Sequence, residues 1–141
     1  MNKYGETALQ AMKLMADGEC SPLNAWERAA SEVFAGLLPS ANKGCPREAF
    51  LGLHDLRITI GPPSAAITHG SSRKRGVNRE YAALAVKALF ANHTLAAAGS
   101  LQLWKTVLAA HGADPDKEHN SQMDVVLALW DRGFISIGKN P

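Results

Sequence analysis

The sequence predicts an all-α fold: one compact domain of two pseudo-symmetric three-helix units, with about six helices in all. Two observations lead to this prediction. Apolar residues recur at helical spacing between capping signals, and four blocks of the first half recur in the same order in the second half. At 141 residues and 46% hydrophobic content, the chain has the length of one domain and enough apolar residues for a conventional core.

The four recurring blocks define the repeat. They match residues 11–15 to 85–89, 23–26 to 101–104, 46–53 to 122–129, and 58–61 to 135–138. The offset between matched blocks stays between 74 and 78 residues, so small differences in loop length reconcile them. Within a single domain of residues 1–141, we therefore predict unit one at 1–61, a linker at 62–78 and unit two at 79–141.

Capping signals mark the helices of unit one. Ser21 is predicted to cap the second helix, with Pro22 at the first helical position, where its missing N–H costs nothing. Cys45 precedes Pro46 in the same way, so we expect it to cap the third helix, with Glu48 at the capping-box position. The starts of the second and third helices of unit one are thus predicted from the sequence alone.

Unit two carries the corresponding signals. Ser100 is predicted to open a helix that ends at Gly112, because a glycine readily adopts the left-handed conformation that closes a helix. Ser121 is predicted to cap the last helix, with Asp124 as the capping-box acid, and Gly133 to end it. Each unit therefore has a capped third helix.

Apolar residues at helical spacing indicate the core. Trp26 and Trp104 occupy equivalent positions, and we predict that both are core anchors. Leu23 belongs to the same helical pattern as Trp26, and Leu101 is its counterpart in unit two. The two tryptophan helices are thus expected to bury equivalent faces.

A short β-branched run follows the third helix of each unit, at residues 58–60 and 134–137. These runs can pair across a pseudo-twofold axis as a two-stranded ribbon. Such a ribbon is marginal in water by itself, so it would need helices packed on it.

Charge and cysteine content exclude several classes of protein. The net charge is only +2, and the two cysteines are too few for a disulfide scaffold. No apolar stretch approaches the roughly 20 residues of a membrane span, and the N-terminus does not resemble a signal peptide. We expect a cytoplasmic protein that does not associate with membranes.

Three blocks carry a family resemblance: residues 3–8, 43–53 and 119–130. Together they resemble a family of small uncharacterised bacterial proteins, catalogued as a domain of unknown function. The resemblance covers nearly the whole chain and implies a bacterial, stand-alone, small helical protein. It implies no reaction, ligand or catalytic residue.

A basic cluster is the leading candidate for a contact surface. Residues 1–64 hold six Lys/Arg and seven Asp/Glu, whereas residues 65–141 hold nine and six. The excess comes from Arg73, Lys74, Arg75 and Arg79. Clustered cations on a Gly/Ser-rich segment suit phosphate contacts, although no aromatic residue is interleaved for stacking on bases. We therefore expect a non-catalytic binding module whose partner is a nucleic acid or an acidic protein.

Cys45 supports an alternative, a small cysteine-dependent enzyme. A thiol at a helix N-terminus is favoured as the reactive thiolate, and a cysteine hydrolase would also need a histidine base within reach. His119 precedes the matching helix of unit two by a few residues, and Asp124 is a weak candidate for orienting it. The simpler interpretation is that Cys45 occupies a cap position, as Ser121 does in the other unit.

The segment 111–119 holds two histidines and three carboxylates, which are potential metal ligands. It has neither the zincin spacing nor the glycine and final glutamate of an EF-hand, so a solvated loop is the better interpretation. The sequence contains no phosphate-binding glycine motif. We expect neither a metal nor a cofactor.

Overall fold

The computed structural model describes residues 2–18, 21–35, 43–55, 58–60 and 77–137. The helices are α1 (Lys3–Ala16), α2 (Pro22–Val33), α3 (Gly44–Asp55), α4 (Val77–Ala91), α5 (Thr94–Ala98), α6 (Ser100–His111) and α7 (Gln122–Asp131). The strands are β1 (Ile58–Ile60) and β2 (Ile135–Ile137). The predicted all-helical fold class is confirmed, and the described residues form a compact helical domain.

The short helix α5 is one more than the six that the sequence predicts. It begins after Asn92, whose Oδ1 accepts hydrogen bonds from the Thr94 backbone N–H and hydroxyl at 3.1 and 2.6 Å. Its five residues are too few to show a helical period, and none of them is buried. It packs between α4 and α6 and has no predicted counterpart in unit one.

The helices pack both on elements of their own unit and on elements of the other unit. In unit one, α1 lies on α2 and also on α7, while α3 lies on α4 and α7. In unit two, α4 also packs against α6, and α6 against α7. The core therefore runs continuously through both predicted units and does not divide between them.

The two strands form an antiparallel ribbon, as the β-branched runs allowed. Ile58 pairs with Ile137, Thr59 with Ser136 and Ile60 with Ile135. Helix α3 packs against β1, which supplies the helical support that an isolated ribbon lacks.

Helix termini confirm some predicted caps and overturn others. Ser21 caps α2, since its hydroxyl accepts from the Asn24 backbone N–H at 3.2 Å. Ser121 does not cap α7: its φ is +69°, and its side chain makes no capping hydrogen bond. That prediction is wrong because the backbone enters the helix from the left-handed region. Cys45 is not a cap either, because α3 already begins at Gly44.

The helix ends of unit two follow the predictions. Gly112 closes α6 with φ +75°, and the Ala113 N–H donates to the Leu108 carbonyl at 3.0 Å. Gly133 has φ +74°, and its N–H donates to the Trp130 carbonyl at 3.0 Å just beyond α7. Both glycines supply a conformation that other residues adopt at a cost.

Trp26 and Trp104 are fully buried, which confirms them as core anchors. Leu23 and Leu101, predicted to share their faces, are instead 42% and 60% exposed. Each leucine lies three residues before its tryptophan, in the first turn of its helix. The apolar face of these two helices therefore begins one turn later than the sequence pattern indicates.

Candidate functional site

The basic cluster is divided between described and undescribed parts of the chain. Arg73, Lys74 and Arg75 lie outside the described residues, whereas Arg79 lies in the first turn of α4. The Arg79 Nε donates to Glu48 Oε1 at 2.9 Å, and only 18% of the Arg79 side chain is exposed. Arg79 therefore takes part in an ion pair between α3 and α4.

Helices α3 and α4 approach very closely beside this ion pair. A Cβ placed on Gly52 would lie 2.6 Å from Arg79 Cα and 3.0 Å from its carbonyl oxygen. Only glycine leaves room for the α4 backbone at this point. The position of Arg79, and with it the start of α4, is thus fixed by packing as well as by charge.

The loop between α6 and α7 is bound to α4 through Lys117. The buried Trp104 Nε1 donates to the Lys117 carbonyl at 2.9 Å. The Lys117 ammonium donates to the Tyr81 hydroxyl at 2.9 Å and lies 5.0 Å from the centre of the Tyr81 ring. Tyr81 is itself buried, in edge-to-face contact with Trp104. Lys117 therefore joins the loop to both α4 and α6.

Two further contacts hold the same region together. His111 Nε2 lies 3.0 Å from Glu80 Oε1, and Gln122 Nε2 donates to Asn78 Oδ1 at 3.0 Å. Within the part of the chain that the structure describes, no group of His, Cys, Asp and Glu side chains is arranged to hold a metal ion. His111 contacts the α4 acid Glu80, so it does not converge with the loop carboxylates.

His119 caps α7 in place of Ser121. Its Nε2 accepts a hydrogen bond from the Met123 backbone N–H at 2.9 Å, and its ring packs against Trp104. Because a backbone N–H can only donate, Nε2 carries no proton in this arrangement. Burial lowers the pKa of His119 below the usual 6.5; Lys43 lowers it further, and the nearby Asp124 carboxylate opposes both effects.

In the candidate enzyme pair, Cys45 is a free thiol, whereas the His119 side chain is engaged in a hydrogen bond. Cys45 lies in the first turn of α3 as a partly buried free thiol. His119 is committed to the α7 backbone through Nε2, and Asp124 Oδ2 accepts from Asn2 Nδ2 at 3.4 Å. The base that the enzyme alternative requires is therefore already engaged in a structural hydrogen bond.

The comparisons with known proteins identify a family. A family model described as a family of unknown function, DUF6979, matches residues 1–136. The chain belongs to DUF6979. No curated protein and no solved structure matches this DUF6979 chain. The expected membership of a family of unknown function is thus confirmed.

One cluster of this DUF6979 protein was not predicted from the sequence. The rings of Phe90 and His93 lie 4.9 and 5.6 Å from that of Trp130, both close to perpendicular to it. Phe90 and Trp130 are partly buried and His93 is exposed. Trp130 is far in sequence from Phe90 and His93, so only the packing of α4 on α7 could reveal this cluster.

The buried tryptophans of this DUF6979 protein also differ from each other. Trp104 Nε1 has its acceptor in Lys117, whereas Trp26 Nε1 has none among the described residues. None of the helices in the described ranges combines the length and the apolar character needed to cross a membrane.

Proposed function

We propose that this protein is a non-catalytic binding module that contacts nucleic-acid phosphates through Arg73, Lys74 and Arg75. The observation that carries the proposal is the run of three consecutive cations in the segment that joins the two predicted units. Lys and Arg side chains that neutralise phosphates release condensed counterions, which drives binding. The run ends two residues before α4, so a partner held there would lie beside a helix that is fixed to the rest of the domain.

The contacts of Arg79 limit the proposed surface to the three earlier cations. Its guanidinium is engaged with Glu48 and largely buried. A change at Arg79 would break the contact between α3 and α4, so its effect on binding could not be separated from an effect on folding. Arg79 therefore belongs to the scaffold, and Arg73, Lys74 and Arg75 are the contact residues.

Binding is supported over catalysis by the hydrogen bond at His119. When Nε2 accepts from the Met123 N–H, the ring proton of the neutral imidazole lies on Nδ1. Neither nitrogen is then available to take a proton from Cys45 without loss of the α7 cap. A general base needs a free acceptor within hydrogen-bond reach of its donor.

Fluorescence anisotropy of labelled duplex DNA and RNA across a salt series tests the proposal. We expect binding that weakens as the salt concentration rises. For the Arg73/Lys74/Arg75→Ala variant, the slope of log K against log salt concentration should be shallower by about 1 to 3, since each lost phosphate contact removes about 0.9 from that slope for B-DNA. Cys45→Ser should bind as the unchanged protein does.

The matched control removes three cations elsewhere on the surface. Lys13, Lys87 and Lys105 are exposed and lie on three different helices. Because their joint replacement by Ala also removes three positive charges, this control has the same net charge as the 73–75 variant. We expect this control to lose much less affinity than the 73–75 variant. Equal losses would show that net charge alone acts. No binding at low salt would refute the nucleic-acid partner, and binding of polyglutamate through the same residues would point to an acidic protein.

A further inference from the structure

The first helix of each unit packs on the third helix of the other unit. The first helix of unit one, α1, packs on α7, the third helix of unit two. In return α4, the first helix of unit two, packs on α3, the third helix of unit one. Within each unit the first helix packs on the tryptophan helix, as α1 on α2 and α4 on α6. Each of these contacts therefore has a counterpart in the other unit, although α4 also packs on α7, whereas α1 makes no contact of similar extent with α3 in the described part of the chain.

Equivalent elements meet each other at the centre. The two third helices, α3 and α7, are in contact, and so are the two strands. In the ribbon, Thr59 pairs with Ser136, its equivalent in the sequence repeat. The flanking pairs, Ile58 with Ile137 and Ile60 with Ile135, then exchange places under a half-turn. A twofold axis between Thr59 and Ser136 requires this register.

We propose that the two units are related by an approximate twofold axis and meet through an isologous surface, so that the chain is a covalently joined dimer of one three-helix unit. In an isologous interface the same surface of both partners makes the contact, which gives the reciprocal pairing of α1 on α7 and α4 on α3. The partner that this surface fits is a second three-helix unit of the same fold. Helix α5 lies outside the repeat as an addition to unit two.

The twofold relation predicts the length of the connection that could join the two chain ends. Sixteen residues separate Ile60, the end of β1, from Val77, the start of α4. Under the axis, Ile60 is equivalent to Ile137 and Val77 to Lys3, so the gap from Ile137 to Lys3 has the same span. A connection of equal length must therefore join the original chain ends without strain.

Two variants of the full chain test this inference. The first carries a protease site within residues 64–70 and is cleaved after folding. The second is a circular permutant that begins at Val77 and ends at Ile60, with Gly/Ser residues added between Pro141 and Met1 so that sixteen residues separate Ile137 from Lys3. Circular dichroism, analytical ultracentrifugation and thermal melts are compared with the unchanged protein.

We expect the cleaved chain to stay a one-to-one complex, with a Tm that rises with concentration as expected for an association. We expect the permutant to keep the native helical signal, with a Tm within about 5 °C of the unchanged protein. Separation of the cleaved halves across the whole dilution series would refute a dimer-type interface. A cleaved chain that holds together, beside a permutant that unfolds, would refute the twofold relation.

Discussion

At the scale of single residues, His119 shows how a cap can be misassigned. A serine before a helix is a strong cap signal, but Ser121 adopts φ +69° and its hydroxyl accepts from Asn2. The imidazole of His119 caps the helix instead, because its Nε2 accepts a hydrogen bond from the Met123 N–H. Because the acceptor is a titratable ring, the start of α7 becomes sensitive to pH, which a serine cap would not be.

His119 should make the stability of the protein depend on pH. Its pKa is lower in the folded state than the usual 6.5, so the unfolded chain takes up a proton first as the pH falls. The free energy of unfolding should therefore decrease as the pH falls from about 6.5 towards that lowered pKa, and protonation also removes the acceptor of the α7 cap. Denaturant titrations between pH 7.5 and 4.5 measure this loss.

Two substitutions at His119 separate titration from capping. His119→Gln keeps an acceptor that does not titrate, so this part of the pH dependence should disappear. His119→Ala also removes the cap and should lower stability at pH 7.5 by roughly 1 kcal/mol, with a further loss from packing against Trp104. An unchanged pH profile in the Gln variant would show that other groups cause it.

At the scale of elements, the contact between α3 and α4 depends on one missing side chain. Gly52 lets the α4 backbone approach closely, and the Glu48–Arg79 ion pair lies one turn away on the same face of α3. The sequence indicated a helix through Gly52, yet nothing in its local pattern distinguished this glycine from a weak point in the helix. Its role becomes visible only when α4 is in place.

Gly52→Ala should destabilise the protein despite the better helix propensity of alanine. The added methyl group would meet the Arg79 backbone, and overpacking of this kind costs about 1–3 kcal/mol. Gly44→Ala in the same helix is the matched control, because its nearest neighbour would be the flexible end of Arg47 at 3.5 Å. Urea denaturation of both variants measures the difference, and a neutral Gly52→Ala would show that α3 and α4 can move apart.

At the scale of the whole molecule, the exchange of contacts between units determines how the protein unfolds. The first helix of each predicted unit packs on the other unit, since α1 contacts α7 and α4 contacts α3. The buried residues form one continuous cluster that includes both tryptophans. Loss of one unit would therefore expose core surface of the other.

We expect one cooperative unfolding transition for the whole chain. In differential scanning calorimetry the calorimetric and van't Hoff enthalpies should agree, as they do for a two-state domain. Gly52→Ala in unit one and His119→Ala in unit two should both shift that single transition without splitting it. Two resolved transitions, each sensitive to only one of these variants, would mean that the units are independent.

The sequence by itself determined the helical class, the boundaries near Ser21, Ser100, Gly112 and Gly133, and the two core tryptophans. These features follow from local propensity, capping and apolar period, which act within a few residues of the chain. The strand pairing was open from sequence alone, because two short β-branched runs can equally remain unpaired.

Only the tertiary structure decided the contacts between residues that are far apart in sequence. The His119 cap, the Glu48–Arg79 ion pair and the bond from Lys117 to Tyr81 each depend on where a second element lies. The aromatic cluster around Trp130 is of the same kind. A local pattern shows which residues a helix buries, but the partners of those residues depend on how the helices pack. That packing is a property of the whole chain.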